Sequence, residues 1–232
     1  GLVFYTKYDT LLGDRSHYED IVNQFRNVRK YMFSTEKGLY FHACDMAKKQ
    51  SWANPKTGLS RCFWLRACGW HLMALIDVIS SMDKSMHEYR KELADIFKEA
   101  ASGILKYQDD ESGLFYQVVD RKDVKNNYLE TSGSAMIAYA LLKACRLKIL
   151  LEEEYRSRAM KIFDSLTDRA LVEKDKVLKI GGICRGAGLS DDRNGTVEYY
   201  LSEPIVYDDH KGAAPYIMAY VESLRLKENQ HE

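Results

Sequence analysis

Two stretches in the first third of the chain carry side chains that could bind a sugar acid. Trp64, Arg66 and Trp70 lie in the run FWLRACGWH, where Arg66 and Trp70 are four residues apart and would share one face of a helix. A guanidinium group can hold a carboxylate through two parallel hydrogen bonds, and indole faces suit the C–H faces of a sugar ring. His42, in the upstream run GLYFHACD, adds an imidazole that can exchange a proton near neutral pH. We interpret these residues as one wall of a binding site.

Each candidate also has a structural explanation. An arginine at a helix start can extend over two core tryptophans, and a single loop histidine is more often hydrogen bonded within the fold. Glu130, Thr131 and Ser132 precede another apolar run, where they could cap a helix or line a binding site; both readings remain open. Asp45 is predicted to be a turn residue.

The other polar candidates are weaker. Five of them form a loop that could cover a cavity or lie in solvent: Tyr199, Tyr200, Asp208, Asp209 and His210. The remaining histidines divide into one predicted core residue, His71, and three predicted surface residues, His17, His87 and His231.

The composition is that of a globular protein with balanced charge. The 232 residues include 34 Lys and Arg against 34 Asp and Glu, and 46% are apolar. This balance gives no general attraction to nucleic acid or membranes, and no apolar run approaches the ~20 residues that span a bilayer. Five cysteines without a CxxC spacing favour reduced thiols over a metal site. We expect no metal, no cofactor, no nucleic acid and no membrane partner, and we leave the oligomeric state open.

Seven segments have the hydrophobic periodicity of helices. The amphipathic ones are 18–32, 86–107 and 155–170, and those apolar on nearly all sides are 2–12, 64–79, 135–145 and 212–226. A helix that is apolar all round must be surrounded, whereas an amphipathic helix can coat the outside. The strict alternation predicts an all-α toroid of helical hairpins in a single domain, residues 1–232.

Three local patterns refine this prediction. GLFYQVVD, at Gly113–Asp120, repeats GLYFHACD, at Gly38–Asp45, which indicates a repeated unit. Ser16 and Glu19 have the spacing of a capping box at the start of helix 18–32. The glycine-rich segment 181–211 is predicted to be a long loop. Small residues near the starts of the inner helices would let these helices approach closely around the axis.

Five blocks, in order along nearly the whole chain, resemble those of a known enzyme family. They are GLYFHACD, WANPKTGLS, FWLRACGWHLMALIDVI, ETSGSAMIAYALLK and NGTVEYYLSEPIVYDDHKGAAPYIMAYVE. The resemblance is to the unsaturated rhamnogalacturonyl hydrolases of glycoside hydrolase family 105, which are related to the unsaturated glucuronyl hydrolases of family 88. It implies an (α/α)6 barrel, a toroid of six hairpins, of which this chain carries about seven of the twelve helices as a C-terminal portion.

The resemblance also implies a reaction and a substrate. Such enzymes act on pectin-type oligosaccharides whose terminal uronic acid carries a 4,5 double bond left by a lyase. An aspartic acid protonates C4, water adds at C5, and the hemiketal opens without metal or cofactor. The two-carboxylate displacement of most glycosidases does not apply.

The resemblance assigns substrate contact to His42, Trp64, Arg66 and Trp70, with His42 supporting catalysis. The family's catalytic Asp belongs to a W-x-D motif just upstream of the helix resembling 2–12. We therefore expect this Asp to precede Gly1, and the chain to be an N-terminally truncated piece that is inactive alone. Ala67 and Cys68 stand where the family pattern has Gly-Asn, so we expect a local difference there.

Two alternatives to this hydrolase remain open. One is another sugar enzyme on the same toroid, such as an epimerase, which would need paired acidic or histidine residues at inner helix ends. The other is a non-catalytic sugar-binding or scaffold protein. The expected compartment is the cytoplasm, or the periplasm if a signal peptide lies upstream.

Overall fold

The computed structural model describes residues 1–228, so the surface prediction for His231 lies outside the described residues. Within that range the helices are α1 (Leu2–Leu12), α2 (Tyr18–Met32), α3 (Leu65–Ser81), α4 (His87–Leu105), α5 (Thr131–Arg146), α6 (Glu152–Ala170), α7 (Val197–Ser202) and α8 (His210–Glu228). The strands are β1 (Phe33–Ser34), β2 (Leu39–Tyr40), β3 (Leu171–Lys174), β4 (Val177–Ile180), β5 (Ile183–Cys184) and β6 (Ile205–Val206), which form three antiparallel two-stranded sheets in the order β1-β2, β3-β4 and β5-β6.

The alternation of inner and outer helices is confirmed. α5 packs against α3, α6 and α8, and α3 also packs against α1 and α4, so α1, α3, α5 and α8 form an arc. Nearly every residue of α5 is buried, as a helix apolar on all sides requires. The amphipathic helices α2, α4 and α6 cover the outside and bury one stripe each, such as Ile21, Val22 and Phe25 of α2.

Close approach of the inner helices depends on small residues, as predicted. A Cβ atom added to Gly69 of α3 would lie 2.8 Å from Met136 Cβ of α5, and one added to Gly133 would lie 2.5 Å from Leu65 Cγ. Larger side chains there would push α3 and α5 apart, because helices at this distance interlock their side chains.

The connections place the functional candidates at one end of the arc. Short turns at 13–17, 82–86 and 147–151 join each inner helix to the next outer helix, so the two run antiparallel. Long connections, 33–64, 106–130 and 171–209, lead back to the N-terminal ends of α3, α5 and α8. We call these three helix ends and their long connections the rim.

Two local predictions were wrong. The capping box at α2 does not form: α2 begins at Tyr18, and the backbone N–H of His17 donates to the buried Asp9 carboxylate at 2.9 Å. Glu19 instead accepts hydrogen bonds from Tyr89 and Arg26. The segment 181–211 is not entirely a loop, because it contains the sheet of β5 and β6 and the short helix α7, whose start is capped by Thr196.

The two terminal inner helices of the arc expose apolar stripes, as expected for an open arc. On α1 these residues are Phe4, Tyr8, Leu11 and Leu12, and on α8 they are Ile217, Tyr220, Val221 and Leu224. The fully buried residues of α1 are the polar Thr6 and Asp9, whereas Leu2, Val3 and Tyr5 are partly buried against the core.

Candidate functional site

His42 lies on the first rim connection, two residues after β2. Its backbone N–H donates to Cys62 O at 3.3 Å, which fixes the direction of the side chain. Its Nδ1 atom is 2.6 Å from the hydroxyl of Tyr200 in α7, and its ring centre is 4.6 Å from that of Trp64. The structure thus joins the first and third rim connections at this imidazole.

Arg66 is fully buried in the first turn of α3. Its Nη1 donates to Ser132 Oγ at 3.0 Å and its Nη2 to the carbonyl oxygen of Cys184 at 2.6 Å. The guanidinium lies 4.9 Å from the ring centre of Trp64 and 5.9 Å from that of Trp70, within cation–π range. Its Nε–H has no hydrogen-bond partner among the described residues. Arg66 is therefore a fixed positive charge between two indoles.

The two tryptophans differ in exposure. Trp64 is 2% exposed and donates its Nε1–H to Gln117 Oε1 at 3.1 Å, whereas Trp70 is 46% exposed. Their rings meet edge to face, with centres 5.6 Å apart. Trp64 packs as a core residue, and Trp70 is the indole with a surface accessible to a ligand.

Glu130 immediately precedes α5 and is fully buried. Its carboxylate accepts hydrogen bonds from the backbone N–H groups of Ser132, Gly133 and Cys184 at 3.1, 2.7 and 3.0 Å, and from the Ser132 hydroxyl at 2.7 Å. The capping reading of Glu130 is thus what the structure shows. Ser132 links this carboxylate to Arg66, and the Thr131 hydroxyl donates to Gly181 O at 2.7 Å. Substrate contact by these three residues stays a prediction.

Electrostatics keep the central imidazole neutral. Burial, and then the positive charge of Arg66, lower the pKa of His42 to about 4. Burial also raises the pKa of Tyr200 well above the usual value of a phenol. Near neutral pH the groups around His42 are therefore an uncharged imidazole, an uncharged phenol and the Arg66 guanidinium, which Ser132 links to the Glu130 carboxylate.

Several other sequence predictions can be placed. Asp45 accepts hydrogen bonds from the backbone N–H groups of Ala47, Lys49 and Gln50, which confirms the turn reading. His71 packs its ring 4.3 Å from that of Tyr40, and burial lowers its pKa to about 4, as expected of a core histidine.

The predicted covering loop is divided in the structure. Only Tyr200 of that group contacts His42. Tyr199 donates its hydroxyl to Gly188 O, Asp208 and Asp209 accept backbone N–H groups from Ile180 and Lys211, and His210 is exposed at the start of α8.

Gln117 is a site residue that the sequence reasoning missed. It is fully buried, accepts the Trp64 Nε1–H, and donates through Nε2 to Tyr200 O at 3.3 Å. A signal was present, because in the repeat GLYFHACD and GLFYQVVD, Gln117 occupies the place of His42. The repeat that predicts the fold therefore also points to Gln117 as a counterpart of His42.

Neither a metal cluster nor a membrane helix is found in the described part of the chain. Among residues 1–228, no group of three or more His, Cys, Asp or Glu side chains could hold a metal ion. No helix in this range is long and apolar enough to cross a membrane.

An arc of helical hairpins whose inner helices direct aromatic and cationic residues to one rim is the architecture of (α/α)6-barrel carbohydrate enzymes. The sequence profile of Glycosyl Hydrolase Family 88 matches residues 1–227. The chain belongs to this family and is a glycoside hydrolase by descent, with family 105 proteins among its structural neighbours.

Individual relatives cover different shares of their own lengths. A 24.9 kDa protein in the picA locus of Rhizobium radiobacter is 39% identical over 236 residues, covering 97% of this chain and 99% of that protein. A family 105 glycoside hydrolase of C. acetobutylicum superposes with a TM-score of 0.90 at 40% identity, covering 96% of this chain and 62% of that one. The unsaturated rhamnogalacturonyl hydrolase YesR of Bacillus subtilis is 26% identical over 145 residues, 62% of this chain and 39% of YesR.

The unsaturated glucuronyl hydrolase of Bacillus sp. GL1 shares the fold, with a TM-score of 0.64 at 17% identity over 94% of this chain and 55% of that one. This chain spans about 62% of the length of the C. acetobutylicum structure described above.

Proposed function

We propose that the protein acts on oligosaccharides ending in a 4,5-unsaturated uronic acid of the rhamnogalacturonan type. The observation that carries this proposal is the position of Arg66 between two indoles, beneath a rim where Trp70 is accessible and His42 is neutral. The partly exposed indole offers an apolar face to a sugar ring. YesR, named for this activity, aligns with 62% of the chain.

The buried Arg66 guanidinium is proposed to attract the substrate through its positive charge rather than through two hydrogen bonds. Nη1 and Nη2 each already donate to a protein acceptor, and the group is fully buried. A positive charge in this desolvated position attracts a uronate carboxylate placed over Trp70, because Coulomb attraction is strong where water is excluded. It also opposes protonation of His42.

The reaction we propose is hydration of the enol ether. An acid protonates C4, and water adds to C5 as positive charge develops there; the hemiketal then opens and releases the neighbouring sugar. Within the chain, Arg66, Trp70 and His42 would bind and orient the unsaturated ring.

The direct test is binding of an unsaturated rhamnogalacturonan disaccharide by this chain, measured by calorimetry. Loss of the ultraviolet absorbance of the enol ether measures whether the chain also turns the disaccharide over. We expect Trp70→Ala to raise the Kd about tenfold or more while the fold is retained, because Trp70 is partly exposed. Tyr220→Ala, at an aromatic residue that is 49% exposed on α8, is the matched control.

Two results would overturn the proposal. One is equal affinity for the saturated disaccharide, because the planar unsaturated ring would then not be recognised. The other is unchanged binding by Trp70→Ala. A preference for an unsaturated disaccharide from a glycosaminoglycan would reassign the substrate to the glucuronyl class.

A further inference from the structure

The pair formed by His42 and Tyr200 joins parts of the chain that are 158 residues apart. Both rings also pack on Trp64, with ring centres 4.6 and 6.2 Å from it. Tyr200 is fully buried in α7, and its hydroxyl has no hydrogen-bond partner other than His42 Nδ1 within residues 1–228. The 2.6 Å separation is that of a direct hydrogen bond.

The direction of this hydrogen bond follows from counting protons. A phenol that keeps its proton must donate it to be satisfied when buried. The available acceptor is Nδ1, and a neutral imidazole that accepts at Nδ1 carries its hydrogen on Nε2. The lowered pKa of His42 and the raised pKa of Tyr200 agree with both groups being neutral.

The other imidazole nitrogen is available to a ligand. Nε2 of His42 makes no hydrogen bond within the described part of the chain and is not among its buried polar atoms that lack a partner. Nε2 is therefore partly exposed to solvent. An Nε2–H in this position can donate to an oxygen atom but has no lone pair with which to accept a proton.

The second rim connection holds the donor in place. Gln117 donates its Nε2–H to the carbonyl oxygen of Tyr200 and accepts the indole N–H of Trp64. Thr196 caps the start of α7 through the N–H of Tyr199. The hydroxyl of Tyr200 thus has a fixed position relative to the His42 ring.

From this geometry we infer that Tyr200 is a positioning residue that fixes His42 as the Nε2–H tautomer, so that His42 donates a hydrogen bond to an oxygen of the bound sugar acid. His42 then does not activate water as a base through Nε2, which is already protonated. The assignment of the sugar-acid oxygen rests on the proposed function, whereas the tautomer does not.

The tautomer can be measured without substrate. In long-range 1H–15N correlation spectra of the 15N-histidine-labelled chain at neutral pH, we expect His42 to show a protonated Nε2 and an unprotonated Nδ1. The His42→Gln variant assigns the signals. Tyr200→Phe removes the donor and should convert this pattern to a mixture of the two tautomers.

Tyr199→Phe is the matched control, because it removes one hydroxyl from the neighbouring residue, whose partner is Gly188 O. It should leave the His42 signals unchanged. An Nδ1–H tautomer or an imidazolium ion in the wild type would overturn the inference. The same holds if Tyr200→Phe leaves the His42 signals unaltered.

A second measurement tests the consequence for binding. With the unsaturated disaccharide, Tyr200→Phe should raise the Kd about fivefold to tenfold, and Tyr199→Phe should not. If the wild-type chain fails to bind the disaccharide while the tautomer is as expected, the proposed function fails and the positioning role of Tyr200 stands. If Tyr200→Phe changes the tautomer but not the Kd, donation by His42 to the sugar acid is refuted.

Discussion

The first and second rim connections share a backbone plan but carry opposite kinds of side chain. Gly38 and Gly113 begin the repeated runs with positive φ angles of 67° and 75°. The first N–H of α3, at Leu65, donates to Gln117 O, and the first N–H of α5, at Thr131, donates to Gly182 O. Both α3 and α5 are therefore fastened to the rim connection that follows them in the chain.

The corresponding side chains differ in what they offer. Trp64 and Arg66 at the start of α3 correspond to Glu130 and Ser132 at the start of α5. The first pair presents hydrogen-bond donors, which are accepted by Gln117 in the second connection, by Ser132 in the first turn of α5 and by Cys184 O in the third connection. The comparison shows that the side chains proposed to bind the substrate are held by groups that come later in the chain.

The largest loss of stability is expected when Glu130, at the start of α5, is replaced. Glu130→Ala removes a buried carboxylate that accepts four hydrogen bonds, three from backbone N–H groups. We expect the free energy of unfolding to fall by about 4 kcal/mol, because buried donors are left without partners. Urea denaturation measures it. Thr196→Ala, which removes an ordinary cap from α7, should cost about 1 kcal/mol. Equal costs for the two variants would show that Glu130 is only a cap.

The next effect depends on the different contacts of the two repeated glycines, Gly38 and Gly113. Gly38 lies against the backbone of α4, where a Cβ added to Gly103 would be 1.8 Å from Gly38 O. A Cβ added to Gly113 would be 2.8 Å from Cγ of the flexible Lys161 side chain. We expect Gly103→Ala to cost about 3 kcal/mol of unfolding free energy and Gly113→Ala about 1 kcal/mol, the latter from its positive φ. Thermal unfolding of both variants, compared with wild type, checks this order, and the reverse order would contradict it.

A smaller effect is expected at Gln117, which accepts the hydrogen bond from the Trp64 indole. Gln117→Leu leaves the buried Trp64 Nε1–H and Tyr200 O without their partner. We expect a loss of about 2 kcal/mol in urea denaturation, because two buried polar groups are left unsatisfied. Gln24→Leu, at an exposed position on α2, is the control and should change stability by less than about 0.5 kcal/mol. A cost at Gln117 no greater than the control would remove Gln117 from the site.

The smallest effect is on the pH dependence of stability. His42 can gain a proton as the pH falls, whereas Gln117, at the equivalent position of the repeat, does not titrate. The pKa of His42 is lowered to about 4 in the folded chain, from its ordinary value of 6.5. Between these values the unfolded chain binds more protons, so stability rises with pH and is lost as pH falls from 6.5 through 4. Between pH 7 and pH 5, His42→Gln should reduce this loss by about 1.5 kcal/mol. His71, with a pKa also near 4, maintains the remaining slope.

Urea midpoints measured at pH 7 and at pH 5 in both proteins test this prediction. The wild type should lose more stability than His42→Gln between the two values. Parallel losses would mean that His42 is not buried in its neutral form.

Local sequence determined much of the fold. The period of apolar residues predicted all seven long helices and which of them are inner, because a helix buried on all sides needs apolar residues on all sides. Asp45 was recognisable as a turn residue because its partners, Ala47, Lys49 and Gln50, follow within five positions. Trp64, Arg66 and Trp70 were recognisable as a group because they lie within the first two turns of one helix and the residue before it.

Only the tertiary structure decided how these residues are used. Arg66 is held by Cys184 O, 118 residues away, and His42 by Tyr200, 158 residues away. The capping box at Ser16 and Glu19 did not form, because Asp9 of α1 accepts the His17 N–H and Tyr89, 70 residues away, donates to Glu19. A local pattern fixes what a side chain can do, but a buried polar group must bond to whatever the folded chain places beside it. For that reason the sequence indicated the candidate residues, and the packing of the three rim connections determined which of them are exposed, charged and able to donate.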